Sequence, residues 1–472
     1  MGPGPDLRRG RRNGDRPRFA VVIGAGVAGL SAATLLADRG VRVLVLEARG
    51  RLGGRATAFV DRETGERVDN GQHVLFGCYA ETLAFLRRIG ADAHVRTQPT
   101  LEIPFIDTAG RRSVLRCPPL PAPLHLLGGI LGWTAVPLRD RLTALRLAPA
   151  LLARRVARPP EPTADVTSPG GTAVGVSGAE TVAEWLRAHR QSPRLITALW
   201  EPLAVAALNQ PISEAAADPF VRVLSMLFGP SRTASALVLP SKPLDEMYAE
   251  PARRFIEAHG GEVRTHALAR IVVEGDGVAG VEIRGERIDT TEVISAVPWH
   301  AVRSLFPAVP AALARTVDHA AAMESKTIVT VNLWYDRIVM EEEFVGLTGR
   351  TIQWIFDKRR TFGESASHLS LVTSAADGLA PLSHDELVGI AAREVADALP
   401  RARDARLVRA TVVREKQATF SIAPGQPPRP AARTAVRGVF LAGDWIDTGL
   451  PGTIESAAAG GHAAARAMLK EG

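Results

Sequence analysis

Three glycines, Gly24, Gly26 and Gly29, follow the apolar run FAVVI in the order G-x-G-x-x-G, and the acid Glu47 closes a second apolar run, VRVLVL. In that spacing the first glycine permits a tight turn, the second lets backbone approach a pyrophosphate, and the third lets a helix pack closely on its strand. A carboxylate at the end of the second strand can accept from both ribose hydroxyls and repels a 2′-phosphate. The chemistry is binding of an adenine dinucleotide, with Ala25 inside the turn and Ala48 beside the acid. Gly275, Gly277 and Gly280 match the same pattern, but they lie between LARIVV and VEIRG with no helical stretch after them. That copy reads as a hairpin turn.

Other residues are placed to act on the same ligand. Gly53-Gly54 and Arg55 follow the acid, bringing a second backbone approach and a guanidinium toward the diphosphate. The stretch VDNGQHVLFGCY, residues 68–79, mixes acid, amide, imidazole and thiol with apolar side chains, and reads as both a ligand-facing strip and the start of a core strand. His73 within it is either a proton-transfer group or a satisfied structural histidine. Near the C-terminus GVFLAGDWIDTGLPGTIESAAAGG gives a strand, a Gly443-Asp444 turn, a loop, and a small-residue helix from about Thr453. The positive N-terminus of such a helix suits an anionic group.

The elements that must carry these residues define an α/β protein with a Rossmann-like domain built from discontinuous segments. Phe19 to Ile23, a helix from the glycine turn, and the VRVLVL strand form a β-α-β unit. YAEPARRFIEAHGG reads as a helix stopped at Gly260-Gly261 before a returning strand, and EVISAVPWHAV as a strand ending at Pro298. The nucleotide domain is expected over 19–100, 245–300 and 425–472, and a mixed α+β substrate domain over 101–244 and 301–424. Residues 1–18 read as a disordered basic arm and 157–178 as a flexible insert. The apolar stretch 119–138 is too short and too broken by Pro and Gly to span a bilayer; it lines a tunnel, dips into one leaflet, or is a core helix.

Composition narrows the function classes. With 472 residues, 46% of them apolar, the chain can fill two cores or one large discontinuous one. Cys78 and Cys117 give neither a metal spacing nor a disulfide framework, so no metal is expected and a reducing compartment is the default. A net charge of +7 is spread over arginines without an aromatic-interleaved stripe, which argues against nucleic acid and suits an anionic membrane surface.

The Gly-Gly-Arg segment resembles the extended FAD signature of the amine oxidase and carotenoid desaturase superfamily. DNGQHVLFGCYAETLAFLRRIGA and GDWIDTGLPGTIESAAAGGHAAA, with TVAEWLRAHRQSPRLITALWEPLAVAALN and LVLPSKPLDEMYAEPARRFIEAHGG between them, are more specific. They resemble the squalene-associated FAD proteins of the hydroxysqualene dehydroxylase family, over nearly the whole chain apart from the arm and the insert. The resemblance implies FAD as cofactor. It places Gly443 and Asp444 at the ribityl and pyrophosphate end, Leu268 against the adenine, Thr453 and Ile454 where a helix N-terminus meets the flavin, and Asn70, Gly71, Gln72 and His73 near the flavin. Family members have Ala where this chain has Gly452, which would add backbone freedom there.

The implied reaction, a step of bacterial hopanoid synthesis, replaces an allylic hydroxyl of an apolar C30 isoprenoid with hydride from reduced flavin. It needs a dry channel, a proton for the departing hydroxyl, and shelter for a delocalised cation. His73 and Asp447 are the candidate acids, Asp447 requiring a pKa raised by burial. Trp299, Trp354 and Trp445 either shelter the cation or pack the core. With a single nucleotide unit, the electron donor must come from outside, and the expected location is cytoplasmic, peripheral on the inner membrane. The rival readings are a carotenoid-type desaturase, a soluble amine oxidase and a non-catalytic FAD scaffold.

Overall fold

A computed structural model describes residues 18–151, 180–364 and 366–471. The insert expected at 157–178, and the arm apart from Arg18, lie outside the described residues.

The first unit forms as its pattern dictates. Strand β1 (Phe19–Ile23), helix α1 (Val27–Asp38) and strand β2 (Arg42–Leu46) run consecutively. Both strands are apolar on both faces because they lie inside a parallel sheet. Three remote strands complete it: β3 (Glu262–Arg264), β4 (Val293–Ser295) and β5 (Val439–Leu441). The order is β3-β2-β1-β4-β5, all parallel, with Val21 beside Leu44 on one side and Val293 on the other. Helix α2 (Ile454–Glu471) packs on α1, where a Cβ at Gly461 would lie 2.1 Å from the Ala28 carbonyl oxygen. Every residue from Val27 to Ala37 is consequently buried.

Between β3 and β4 an antiparallel sheet of 269–274, 277–283 and 286–289 intervenes. Its first turn carries Gly275 at φ +62°, so the second glycine pattern is a hairpin. β4 stops at Ser295 rather than at Pro298 as the sequence suggests. The chain leaves the sheet there because Ala296 and Val297 turn their carbonyls to other elements: that of Ala296 faces Gly24, and that of Val297 accepts from Trp445 Nε1 at 3.0 Å.

A seven-stranded mixed sheet stands apart, in the order 407–420, 325–335, 367–373, 354–357, 344–347, 102–106, 112–116. Its two faces differ because side chains alternate along each strand. Val329, Val331, Leu333, Leu369 and Leu371 pack against Leu387, Ala391 and Val395 of the helix His384–Ala398. Thr330, Asn332 and Trp334, with His368 and Ser370 opposite them, occupy the other face. The helices 124–132, 182–188, 201–208 and 217–227 bring Trp133, Trp185, Trp200 and Phe220 into the same core that backs the parallel sheet at Val21, Leu44 and Val293. No helix among the described residues is long and apolar enough to cross a membrane.

Candidate active site

The glycine turn is shaped by three different demands. Gly24 sits at φ +105°, where a Cβ would also lie 2.8 Å from the Ala296 carbonyl oxygen. A Cβ at Gly29 would lie 1.9 Å from the Gly24 carbonyl oxygen, so only a glycine fits at that position in the first turn of α1. At Gly26 a Cβ would meet nothing closer than Gly54 Cα, at 3.9 Å. The protein itself tolerates a side chain there; the open space belongs to a ligand. Glu47 is buried and takes the backbone N–H of Ala25 at 2.9 Å and of Arg49 at 2.8 Å, which locks the end of β2 under the turn.

The Gly53-Gly54 segment docks on this turn. Both residues have positive φ, +100° and +61°, and the Gly53 N–H donates to the Ala25 carbonyl at 2.8 Å. Tyr248, from a single π-helical turn at 245–249, donates its hydroxyl to the carbonyls of Gly53, at 3.0 Å, and Ala56. Asn70 spends both ends of its amide on the same loop, accepting from Thr57 N–H at 3.1 Å and donating to the Arg55 carbonyl at 2.8 Å. Arg55 forms a two-pronged pair with Asp444, donates to the Ala418 carbonyl at 2.7 Å and lies 5.0 Å above the Trp299 ring. Thr453 caps α2 by accepting the Ser456 N–H at 3.1 Å.

One cavity of about 580 Å³ joins these pieces. Gly24, Gly26, Glu47, Ala48, Gly53, Gly54, Arg55, Asn70, Gly71, Leu268, Gly443, Asp444, Thr453 and Ile454 all line it, whereas Ala25 and Gly29 stand behind the wall. Leu268 lies at its open edge, 65% exposed. Beyond Gly71, Gln72 and His73 the lining turns apolar, with Phe105, Leu126, Leu199, Phe228, Trp354 and Phe356. The stretch 119–138 contributes the helix Leu124–Gly132, whose Leu126 and Ile130 face this chamber. Cys117 also lines it, and burial pushes its thiol up to about 11. The glycine cradle, the acid at the end of β2 and the helix N-terminus at Thr453 fit an adenine dinucleotide carrying a flat ring system toward the apolar chamber.

Neither candidate acid has the expected setting. Asp447 is exposed and outside the cavity lining, 3.8 Å from an Arg429 nitrogen, so it lacks the expected burial. His73 lies in the wall, but burial lowers its pKa, outweighing Asp69, which raises it; Lys358 lowers it further. The imidazole is neutral at neutral pH and holds no ready proton. Trp445 is buried under Gly443 and lines the cavity at its glycine-rich end, Trp354 lines the apolar chamber, and Trp299 packs below Arg55 outside the lining. Gly452 has an ordinary backbone conformation; its role is close approach, since a Cβ would lie 3.0 Å from Thr419 Cβ.

Sequence reading missed a buried cluster directly behind Gln72. Lys358 Nζ donates to Gln72 Oε1 at 2.7 Å and to Asp69 Oδ2 at 3.0 Å, and lies 3.9 Å from the Phe362 ring centre. It was also blind to Tyr248 and to Glu455, which accepts the N–H groups of Glu81 and Thr82 at the start of the helix 80–88. No local spacing announces these residues, because their partners are remote in the chain.

The profile of flavin containing amine oxidoreductases matches residues 27–469. Hydroxysqualene dehydroxylase from Zymomonas mobilis is 29% identical over 455 residues, covering 95% of this chain and 98% of its own. The enzyme of that name from Sinorhizobium fredii is 28% identical, covering 96% and 99%. Zeta-carotene desaturase from Zea mays is 25% identical, covering 94% and 82%. A solved oxidoreductase from Methanosarcina mazei shares the fold, with a TM-score of 0.71 at 17% identity over 94% of this chain and 99% of that one.

Proposed function

This chain belongs to the family of flavin containing amine oxidoreductases and is an FAD-dependent oxidoreductase; we propose that it reduces hydroxysqualene, or a closely similar C30 allylic alcohol, to squalene in hopanoid synthesis. The observation that carries this reading is a single cavity whose glycine-rich end runs into an apolar chamber. End-to-end similarity to two hydroxysqualene dehydroxylases supports the alcohol as substrate.

FAD would be held by Gly26, Gly53 and Gly54 at the diphosphate, Glu47 at the ribose, Leu268 at the adenine and Asp444 at the ribityl chain. When bound and reduced, it supplies the hydride. The chain's own residues do the rest. The C–O bond breaks, the hydroxyl leaves as water after gaining one proton, and the carbon receives the hydride, so each turnover consumes a proton that the protein must deliver. The apolar walls exclude bulk water from the cation, and Trp354 offers it a ring face. Neither Asp447, exposed outside the lining, nor His73, whose pKa burial lowers, has the setting of a store for that proton. An external electron donor reloads the flavin.

The test is a single turnover under anaerobic conditions: chemically reduced protein mixed with hydroxysqualene yields squalene as the flavin reoxidises. Oxidised protein that instead introduces double bonds into an isoprenoid would establish the desaturase reading, which similarity to zeta-carotene desaturase keeps in play.

An apolar substrate calls for access from a membrane. Leu120, Leu124, Leu138, Leu142 and Leu145 are all exposed, half of the large exposed apolar residues among those described, and Arg139, Arg141 and Arg146 lie among them. The helix bearing Leu124 turns Leu126 and Ile130 into the chamber. This face is the proposed contact with an anionic membrane surface, with the protein peripheral on the cytoplasmic side of the inner membrane.

A further inference from the structure

The polar face of the seven-stranded sheet is unusual for its depth. Thr330 Oγ1, Asn332 Nδ2, Ser370 Oγ and Thr411 Oγ1, with Gln72 Nε2 across from them, are buried atoms that find no hydrogen-bond partner among the described residues. The strand register makes them neighbours, since Asn332 lies between Ser370 on one side and Thr411 on the other, and Thr330 is two residues along the same strand. The Thr330 hydroxyl reaches the cavity wall, where a Cβ at Gly71 would be 3.6 Å from it. Each buried group left without a partner costs about 1–3 kcal/mol, so a contiguous patch of them is the setting in which ordered water is held.

The patch is bounded by titratable groups at both ends. Toward solvent, His368 contacts Asn332 Oδ1 through Nε2 and Glu364 Oε2 through Nδ1, both at 3.0 Å. Glu66, which accepts from Trp334 Nε1, lies 4.0 Å from His368 Nδ1. The Glu364 and Glu66 side chains are 14% and 21% exposed, so they touch both solvent and the interior. With Nε2 donating to an amide oxygen, a neutral imidazole has only an acceptor at Nδ1, and the Glu364 carboxyl must donate to it. Toward the cavity, Lys358 pins Gln72 and Asp69.

We propose that this patch is a hydrated proton route, running from solvent at Glu66 and Glu364 through His368, past Asn332, which orients it, and by way of Ser370 and Thr330 to the cavity wall at Gly71 and Gln72. It rests on the dehydroxylase reading, because it supplies the proton that leaves with the hydroxyl as water. Glu364 takes the proton from solvent and passes it to His368 Nδ1 as Nε2 releases one to bridging water, the Asn332 carboxamide orienting the ring without taking the proton, and the hydroxyls of Ser370 and Thr330, each both donor and acceptor, carry it on through that water. Burial pushes the Glu364 carboxyl up to about 7, against Lys358, which lowers it, and with Asp69 raising it, so it exchanges protons at neutral pH. Burial holds His368 down at about 3, with Lys358 lowering it and Glu66, Asp69 and Asp61 raising it, so the ring between them stays neutral.

The experiment uses the flavin-loaded full chain with Glu364→Gln and Thr330→Val, each close in shape to the residue replaced. Expected for Glu364→Gln is a fall in kcat of roughly a hundred-fold, with KM for hydroxysqualene and flavin absorbance retained. The decline in wild-type kcat as pH rises through about 7 should vanish. Thr330→Val should lower kcat and enlarge the solvent deuterium isotope effect. If both variants keep wild-type kcat and pH profile while the wild type turns over, the route is wrong and the dehydroxylase reading stands. If the wild type fails to turn over hydroxysqualene, the dehydroxylase reading fails and a second readout decides the route. Reducing the flavin should then perturb an infrared carboxyl band that Glu364→Gln lacks, and absence of such a band overturns the route.

Discussion

Lys358 and Asp69 stand 289 residues apart in sequence, yet their side chains meet at 3.0 Å, each 1% exposed. The pair ties the short helix Lys358–Phe362, which follows strand 354–357 of the large sheet, to strand 67–69, which leads directly into the cavity wall at Gly71 and Gln72. A buried pair is expensive to break because the survivor is left charged and unsolvated. Lys358→Met should therefore lower unfolding stability by about 3–5 kcal/mol. Adding Asp69→Asn should recover part of that loss, read as denaturant midpoints of the single and double variants.

The glycines of the first turn should separate by phenotype. Gly26→Val should fold but purify without flavin absorbance, because a Cβ at that position meets no protein atom closer than 3.9 Å and only obstructs the ligand. Gly29→Ala should fail at folding, since its Cβ would lie 1.9 Å from a backbone oxygen. Soluble expression and the visible spectrum together distinguish the two outcomes.

Glu364 should imprint a pH dependence on stability. Its pKa is raised on folding, from the ordinary 4.5 to about 7, so its contribution is intact below 4.5 and is lost as pH climbs through about 7. The loss is bounded at about 3 kcal/mol, since each pH unit between 4.5 and about 7 corresponds to roughly 1.4 kcal/mol. Urea unfolding at pH 5 and pH 8 should show the wild type losing stability relative to Glu364→Gln at the higher pH. Equal changes in both proteins would mean that Glu364 ionises normally.

Membrane contact should depend on the leucine face. Leu124→Glu combined with Leu142→Glu should abolish sedimentation with anionic vesicles while leaving the flavin spectrum intact, as both side chains are exposed. Vesicle binding that survives the pair of substitutions would move the contact elsewhere on the surface.

Much of the nucleotide-binding half was legible in the sequence. The β-α-β unit, the hairpin at Gly275, the Gly53-Gly54 docking segment and the helix after Thr453 follow from short-range demands. A positive φ, a run of residues buried on both faces, or a cap three residues from its acceptor is written within one turn or strand. The same locality explains the failures. Gly452 looks like backbone freedom until Thr419 is found against it, and the burial that Asp447 would require of its surroundings is not there.

The sequence by itself determined that this chain binds an adenine dinucleotide, because the ligand's diphosphate is met by backbone, and backbone geometry is dictated locally by glycine. The tertiary structure alone decided which polar and titratable groups stand together behind the cavity wall. Thr330, Asn332, Ser370 and Thr411 become one patch only through the register of three strands, and Glu364 and His368 take their protonation states from burial that no neighbouring residue encodes. Desolvation depends on everything that surrounds a group, and most of what surrounds these groups comes from elsewhere in the chain.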